Sequence, residues 1–162
     1  MTECQWNAVL KNLEDARRLA QLVATLAPIP CLIGLQGTLG AGKTTWTRML
    51  VETLSQGRLA ATSPTFQLVH RYPTDPPVYH VDAYRLKYDE EWWDLGVEEW
   101  METPSVTVIE WSDRVAKRLP TDRLTIVLEC LEGDVRSATI QSGGPRSLAW
   151  CQAIGRQWEQ PR

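Results

Sequence analysis

The stretch LIGLQGTLGAGKTTW, Leu32–Trp46, decides the fold. An apolar run ends at Gln36, three glycines follow within six residues, and helical periodicity begins at Lys43. Gly37, Gly42, Lys43 and Thr44 satisfy the GxxxxGK[ST] pattern. Glycines let the backbone curl until successive N–H groups face one anion, and a helix opening behind the loop adds its own unpaired N–H groups. Lys43 supplies a cation for the outer phosphates, and Thr44 a hydroxyl for magnesium, which also takes phosphate oxygens and water. Gly37, Thr38, Leu39, Gly40, Ala41, Gly42, Lys43 and Thr44 are therefore expected to cradle a nucleotide triphosphate. Thr45 either touches a phosphate or simply fits the first helical turn.

The flanks agree with that reading. Upstream, NLEDARRLAQLVATLAP reads as a helix capped by Asn12, with Ala16, Leu19, Val23 and Leu26 as its apolar stripe. CLIGLQ is a buried strand feeding the loop, and TTWTRMLVETLS is the helix leaving it. Downstream, TSPTFQLVHRY and VYHVD read as strands, the latter followed by a loop and short helical turns through Met101. SVTVIE is a further strand, DRLTIVLECL and DVRSATIQ form a hairpin, and PRSLAWCQAIGRQWE closes the chain as an amphipathic helix with Leu148, Cys151 and Ile154 on one face. Strands alternating with helices, then a late hairpin, predict an α/β protein. The expected architecture is a P-loop NTPase-like three-layer sandwich, mostly parallel in its central sheet with antiparallel edge strands. One domain spanning residues 1–162 is expected.

Bulk properties narrow the function class. The 162 residues carry a net charge of −3, which argues against a protein that coats nucleic acid or an anionic membrane. Cys4, Cys31, Cys130 and Cys151 lack the paired spacing of zinc or redox motifs, so reduced thiols and no zinc are expected. The N-terminal residues lack a basic region followed by an apolar core, and no apolar run reaches membrane-spanning length. A cytoplasmic location with no membrane partner is the expectation. Guanine-specific switch proteins use an Asn-Lys-x-Asp element late in the chain; here the asparagines are Asn7 and Asn12, both before the loop. ATP is favoured by elimination, with Mg2+ expected at the Thr44 hydroxyl.

Two acids end strands and compete for the metal and the attacking water: Glu110 after VTVI and Asp82 after VYHV. The residues leave their division of labour open. Ser63 and Thr65, in SPT, stand where a hydroxyl can close on the outer phosphate or merely form a turn. His80 alternates with Asp82 and can orient a carboxylate or pack as a half-buried histidine. Arg85, beside Tyr84, reads phosphate, meets a partner, or is plain surface. From Asp89 to Glu102 the chain holds seven acids, three tryptophans and no base. That strip is either an amphipathic segment with Trp92, Leu95 and Trp100 turned inward or a protein-docking surface. Arg114, Lys117, Arg118 and Arg123 form a modest basic cluster.

Taken in order, GTLGAGKTT, SPTF, VYHVDAYRL, DLGVEEW and VIEWSDR resemble the TsaE family across Leu13 to Leu131. The resemblance implies a small P-loop ATPase of bacterial tRNA threonylcarbamoyladenosine synthesis. It implies Lys43 and Thr44 as phosphate and magnesium residues, and Thr65 as the switch threonine. It places Asp82 in a His-x-Asp-x-Tyr-Arg motif with His80, Tyr84 and Arg85, and Glu110 in a Glu-Trp motif with Trp111 near the nucleotide. The implied action is magnesium-dependent hydrolysis of ATP, slow without partners, on a TsaD–TsaB complex through which tRNA is met. That complex modifies N6 of adenosine 37 in tRNAs reading codons that begin with adenine, and the ATPase does not itself transfer the group. Thr38 stands where the family commonly has aspartate. A small-metabolite kinase and a non-hydrolysing nucleotide-sensing module are the alternatives; the acidic strip, lacking arginine, argues against a kinase lid.

Overall fold

The computed structural model describes residues 3–59 and 67–161. Strand β1 (Gln5–Leu10) leads into helix α1 (Leu13–Thr25), then β2 (Cys31–Gln36) and α2 (Lys43–Leu54). Strands β3 (Val69–Tyr72) and β4 (Val78–Asp82) precede two short helices, α3 (Asp89–Asp94) and α4 (Val97–Glu102). Then come β5 (Val106–Glu110), β6 (Leu124–Cys130), β7 (Arg136–Ser142) and α5 (Pro145–Trp158). Short 3-10 segments occupy Ala83–Arg85 and Ser112–Arg118.

The strands form one sheet in the order β1-β7-β6-β2-β5-β4-β3. β6, β2, β5 and β4 run parallel, whereas β7, β1 and β3 add on antiparallel. The expected α/β sandwich with a parallel centre and antiparallel edges is what the chain forms. Alternation along β2 builds both faces of the core: Ile33 and Leu35 point one way and Leu32 the other. Leu19, Val23, Leu50 and Ile154 of α1, α2 and α5 pack on the first face, and Trp92, Val97 and Val115 on the second. Each fully buried aliphatic side chain contributes roughly 1.5–3 kcal/mol of transfer free energy.

Local chemistry fixes the helix ends. The Asn12 side chain accepts from the Asp15 N–H at 3.0 Å, as the sequence predicts. At α5 a distant residue caps instead: the Asp122 carboxylate accepts from the N–H groups of Arg146 (3.0 Å) and Ser147 (2.9 Å). On that helix Cys151 and Ile154 are buried, but Leu148 is only half-buried and Trp150 takes the inner position.

β1 was not among the expected strands. Ala8 and Leu10 face the core while Val9 is exposed, so an apolar residue on the solvent face hides the period-two alternation. β3 is shorter than the predicted strand, and Phe66 lies outside the described residues. In the acidic strip Trp92 is buried, Leu95 and Trp100 are half-buried, and Trp100 stacks on Tyr79 with ring centres 4.8 Å apart. Trp93 remains 56% exposed beside exposed Tyr88, so the strip packs inward and also presents aromatic surface.

Candidate nucleotide site

β2 lies between β6 and β5, and β4 follows β5. Parallel pairing carries Gln36, Glu110 and Asp82 to the same edge of the sheet, with Leu35 opposite Glu110 and Glu110 opposite Asp82. The loop from Gly37 to Gly42 leaves that edge and enters α2 at Lys43. Open α/β sheets place their ligand sites at this carboxyl edge. At Gly37, φ is 143°, and a Cβ there would sit 2.3 Å from the Leu128 carbonyl oxygen, so only glycine fits between loop and β6. Leu39, at the loop's tip, is 83% exposed.

The Lys43 ammonium donates to the carbonyl oxygens of Gly37 (2.7 Å) and Thr38 (2.9 Å) and lies 3.9 Å from the Trp111 ring centre. Burial lowers its pKa; Glu110, Asp113 and Asp82 pull it upward without cancelling the shift. Trp111 holds a left-handed backbone (φ 58°) between β5 and the next 3-10 segment, which turns its ring over the loop. Tyr84 packs against Trp111 with ring centres 4.9 Å apart, and Arg114 donates to the Tyr84 carbonyl oxygen at 2.8 Å. The stack Lys43–Trp111–Tyr84–Arg114 thus closes one side of the site.

Glu110 is 3% exposed, and its Oε1 makes no hydrogen bond. Its Oε2 lies 3.4 Å from His80 Nε2, just beyond a well-formed hydrogen bond. Burial raises the Glu110 pKa, but the His80 imidazole, the Thr44 hydroxyl and the Lys43 ammonium outweigh it and hold the carboxyl below the ordinary glutamate value. His80 is itself buried, in front of Tyr72. The sequence sets it beside Asp82 or as a half-buried histidine; the structure buries it fully and turns it to Glu110 across the β4–β5 pairing instead. Asp82 points elsewhere: its Oδ1 accepts from the Tyr84 N–H at 3.1 Å, and its Oδ2 lies 3.5 Å from Arg85 Nε.

The predicted residues therefore gather into two groups. Buried Lys43, His80 and Glu110 form an inner set with half-buried Thr44 and Trp111, while half-buried Asp82 stands with exposed Tyr84 and Arg85 at the rim. Ser63 and Thr65 lie outside the described residues. The basic cluster does not stay together, because Arg114 turns to Tyr84 while Arg123 donates to the Pro120 carbonyl before β6, at the sheet's opposite edge.

Sequence reasoning missed one wall of the site. A cavity of about 660 Å³ opens beside the loop, lined by Gly42, Thr45 and Trp46 and by Leu10 and Asn12 from β1 and the start of α1. The Trp46 indole N–H, buried, has no hydrogen-bond partner. Only β1 brings Leu10 there, so the unread strand concealed the cavity. Asp113, three residues past Glu110, also reaches Lys43 electrostatically; the acid was visible in VIEWSDR but not where it would turn.

A phosphate-type loop between a central parallel strand and its helix, with an acid ending the neighbouring strand, defines the P-loop NTPase-like class of α/β sandwiches. Within that class, residues 10–138 match the family model "Threonylcarbamoyl adenosine biosynthesis protein TsaE", and the chain belongs to the TsaE family. It is 34% identical over 157 residues to the tRNA threonylcarbamoyladenosine biosynthesis protein TsaE of Bacillus subtilis, covering 96% of each chain. The protein of that name from Streptomyces coelicolor is 40% identical over 138 residues, covering 80% of this chain and 92% of the relative. The crystal structure of YdiB from Bacillus subtilis superposes with a TM-score of 0.79 at 29% identity, covering 97% of this chain and 98% of that one.

Proposed function

We propose that this protein is a magnesium-dependent ATPase that supports threonylcarbamoylation of adenosine 37 in tRNAs reading codons that begin with adenine. It acts on a TsaD–TsaB complex rather than transferring the group. The observation that carries this reading is the convergence of Lys43, Thr44 and Glu110 on one loop, with a buried Glu110 oxygen left without a hydrogen bond. A hydroxyl and a carboxylate are hard oxygen donors that suit Mg2+. Among the described residues no three His, Cys, Asp or Glu side chains form a metal cage, so a cation here would lean on the nucleotide's oxygens as well.

The residues divide the work by position. Backbone N–H groups from Gly40 to Thr44 and the Lys43 ammonium would grip the phosphates, with Lys43 leaving the Gly37 and Thr38 carbonyls for the stronger charge-assisted contact. Thr44 and Glu110 would hold Mg2+, which neutralises phosphate charge when bound. Asp82, better solvated and beside Arg85, is placed to orient water at the rim. The cavity bounded by Thr45 and Trp46 would take the nucleoside. Exposed Tyr88 and Trp93 amid acids suit a protein partner better than an RNA backbone. Among the described residues no helix is long and apolar enough to cross a membrane.

The test is tRNA modification with purified components, comparing the protein with its Lys43→Ala variant and following complex formation in parallel. Loss of repeated turnover with retained folding is expected. Modification that proceeds equally well with Lys43→Ala would sink the proposal, and a phosphorylated small acceptor formed in proportion to ATP consumed would replace it with a kinase.

A further inference from the structure

Away from the nucleotide loop, two cysteines from opposite ends of the chain meet. Cys4 precedes β1, and Cys151 lies in the middle of α5. β1 is tied to β7 at this point: the Cys4 N–H donates to Ser142 Oγ and the Ser142 N–H donates to the Cys4 carbonyl, both at 2.9 Å. α5 comes close because Gly155 has no side chain; a Cβ there would lie 3.2 Å from Trp6 Nε1. One helical turn earlier Cys151 faces the strand two residues before Trp6, and its Sγ lies 3.6 Å from the Cys4 carbonyl oxygen. The Trp6 indole N–H donates to the Cys151 carbonyl oxygen at 3.2 Å, which fixes helix against strand. Cys151 is fully buried and Cys4 half-buried. Burial, and then the adjacent Cys4 thiol, raise the Cys151 pKa, a second sign that the two sulfurs are neighbours.

The geometry points to Cys4 and Cys151 as a thiol pair that closes into a disulfide when the protein meets a low-molecular-weight disulfide. Cys4, the accessible member, attacks as thiolate: its sulfur bonds to one sulfur of the reagent and the other leaves as a thiolate. Cys151 then gives up its proton and attacks the Cys4 sulfur, expelling the second small thiolate. The protein loses two electrons, and one small disulfide becomes two thiols after protonation. Cys31 opens β2, which β6 and β7 separate from β1 in the sheet, and exposed Cys130 ends β6, so among the described residues neither stands beside this pair. The bond would staple the edge strand β1, whose far end walls the cavity beside the loop, to the last helix.

Folded protein is incubated with glutathione disulfide, alkylated, digested without reduction and mapped by mass spectrometry. A peptide joining Cys4 to Cys151 is expected, reversed by dithiothreitol and absent in Cys4→Ser. The thermal midpoint of the oxidised protein should rise by about 4 °C or more over the reduced form. In Cys151→Ala, Cys4 should accumulate as the glutathione mixed disulfide; should that variant fail to fold, Cys4→Ser carries the comparison. Unmodified Cys4 and Cys151, Cys4 held only as a mixed disulfide in the wild-type chain, or linkage to another cysteine would each overturn the inference.

Discussion

Lys43 Nζ lies 3.9 Å from the centre of the Trp111 ring while donating to two carbonyl oxygens of its own loop. The ammonium is thus held by neutral acceptors and an aromatic face, both weaker partners for a cation than a phosphate. Adding Mg-ATP should draw Lys43 off this perch and change the surroundings of Trp111. An ATP-dependent change in tryptophan fluorescence is expected, and it should be largely lost in Trp111→Phe even though that variant still binds ATP. Lys43→Ala should weaken ATP affinity by about 100-fold or more in titration calorimetry, since a charge-assisted contact to phosphate accounts for roughly 3 kcal/mol. Equal affinities would rule out the phosphate role of Lys43.

Glu110 has one oxygen without a hydrogen bond and several polar neighbours, and on the proposed function that oxygen would face the cation. Glu110→Gln keeps the shape and removes the charge. ATP hydrolysis in the presence of the partner complex should fall by about 100-fold or more, with the Mg2+ requirement shifted to higher concentration. Asp82→Asn should reduce turnover while leaving the apparent Mg2+ requirement near wild type, because Asp82 sits at the rim with Arg85 rather than beside Thr44. The reverse pattern would exchange the roles of the two acids.

His80 reaches Glu110 through Nε2 at 3.4 Å. Gln can present its amide nitrogen where Nε2 stands, whereas Asn reproduces only the nearer ring position. His80→Ala and His80→Asn should therefore lose about 10-fold or more in turnover, as for other groups that orient a metal-binding residue, and His80→Gln should recover most of it. Thermal unfolding of all three separates this effect from simple loss of packing. Equal activity of Asn and Gln variants at equal stability would remove His80 from any positioning role.

Much of this was legible in the sequence because it is local. The phosphate loop, its strand and its helix lie within Leu32–Leu54, and the motifs containing Asp82 and Glu110 each end a strand, so parallel pairing alone brings them to the loop. What could not be read depends on contacts across the chain. His80 partners Glu110 because β4 and β5 lie side by side, a fact of strand order. β1 was hidden by exposed Val9, and with it went the cavity wall at Leu10. Asp122 gives no cue that it caps a helix more than twenty residues later.

That remote cap makes a pH-dependent prediction. Burial raises the Asp122 pKa, but the hydrogen bonds from Ser147 and Arg146 outweigh it and leave the carboxyl below the usual aspartate value. A depressed folded pKa means the stabilisation is complete above the unfolded value near 3.9 and is lost as pH falls through the lower, folded value. Asp122→Ala should cost about 1 kcal/mol at neutral pH, the usual worth of a helix cap, lowering the unfolding midpoint by roughly 2–4 °C. The gap between variant and wild type should shrink as the pH falls below about 4. A gap that stays constant down to pH 2 would show that the carboxylate's charge is irrelevant to the cap.

Two glycines of the loop should respond differently to the same substitution. Gly37 combines a φ of 143° with a Cβ position 2.3 Å from the Leu128 backbone oxygen, so Gly37→Ala meets both backbone strain and a clash that no side-chain rotation relieves. Gly40, at φ 81°, has nothing within 4 Å of its Cβ position. Gly40→Ala should therefore cost only the left-handed conformation, about 1 kcal/mol, and leave the fold otherwise intact. Gly37→Ala must push the loop off β6 and should cost roughly 3 kcal/mol or more, with ATP affinity falling alongside stability. Denaturant unfolding of the two variants gives the comparison. Were Gly37→Ala no less stable than Gly40→Ala, the tight seat of the loop against Leu128 would not exist in solution.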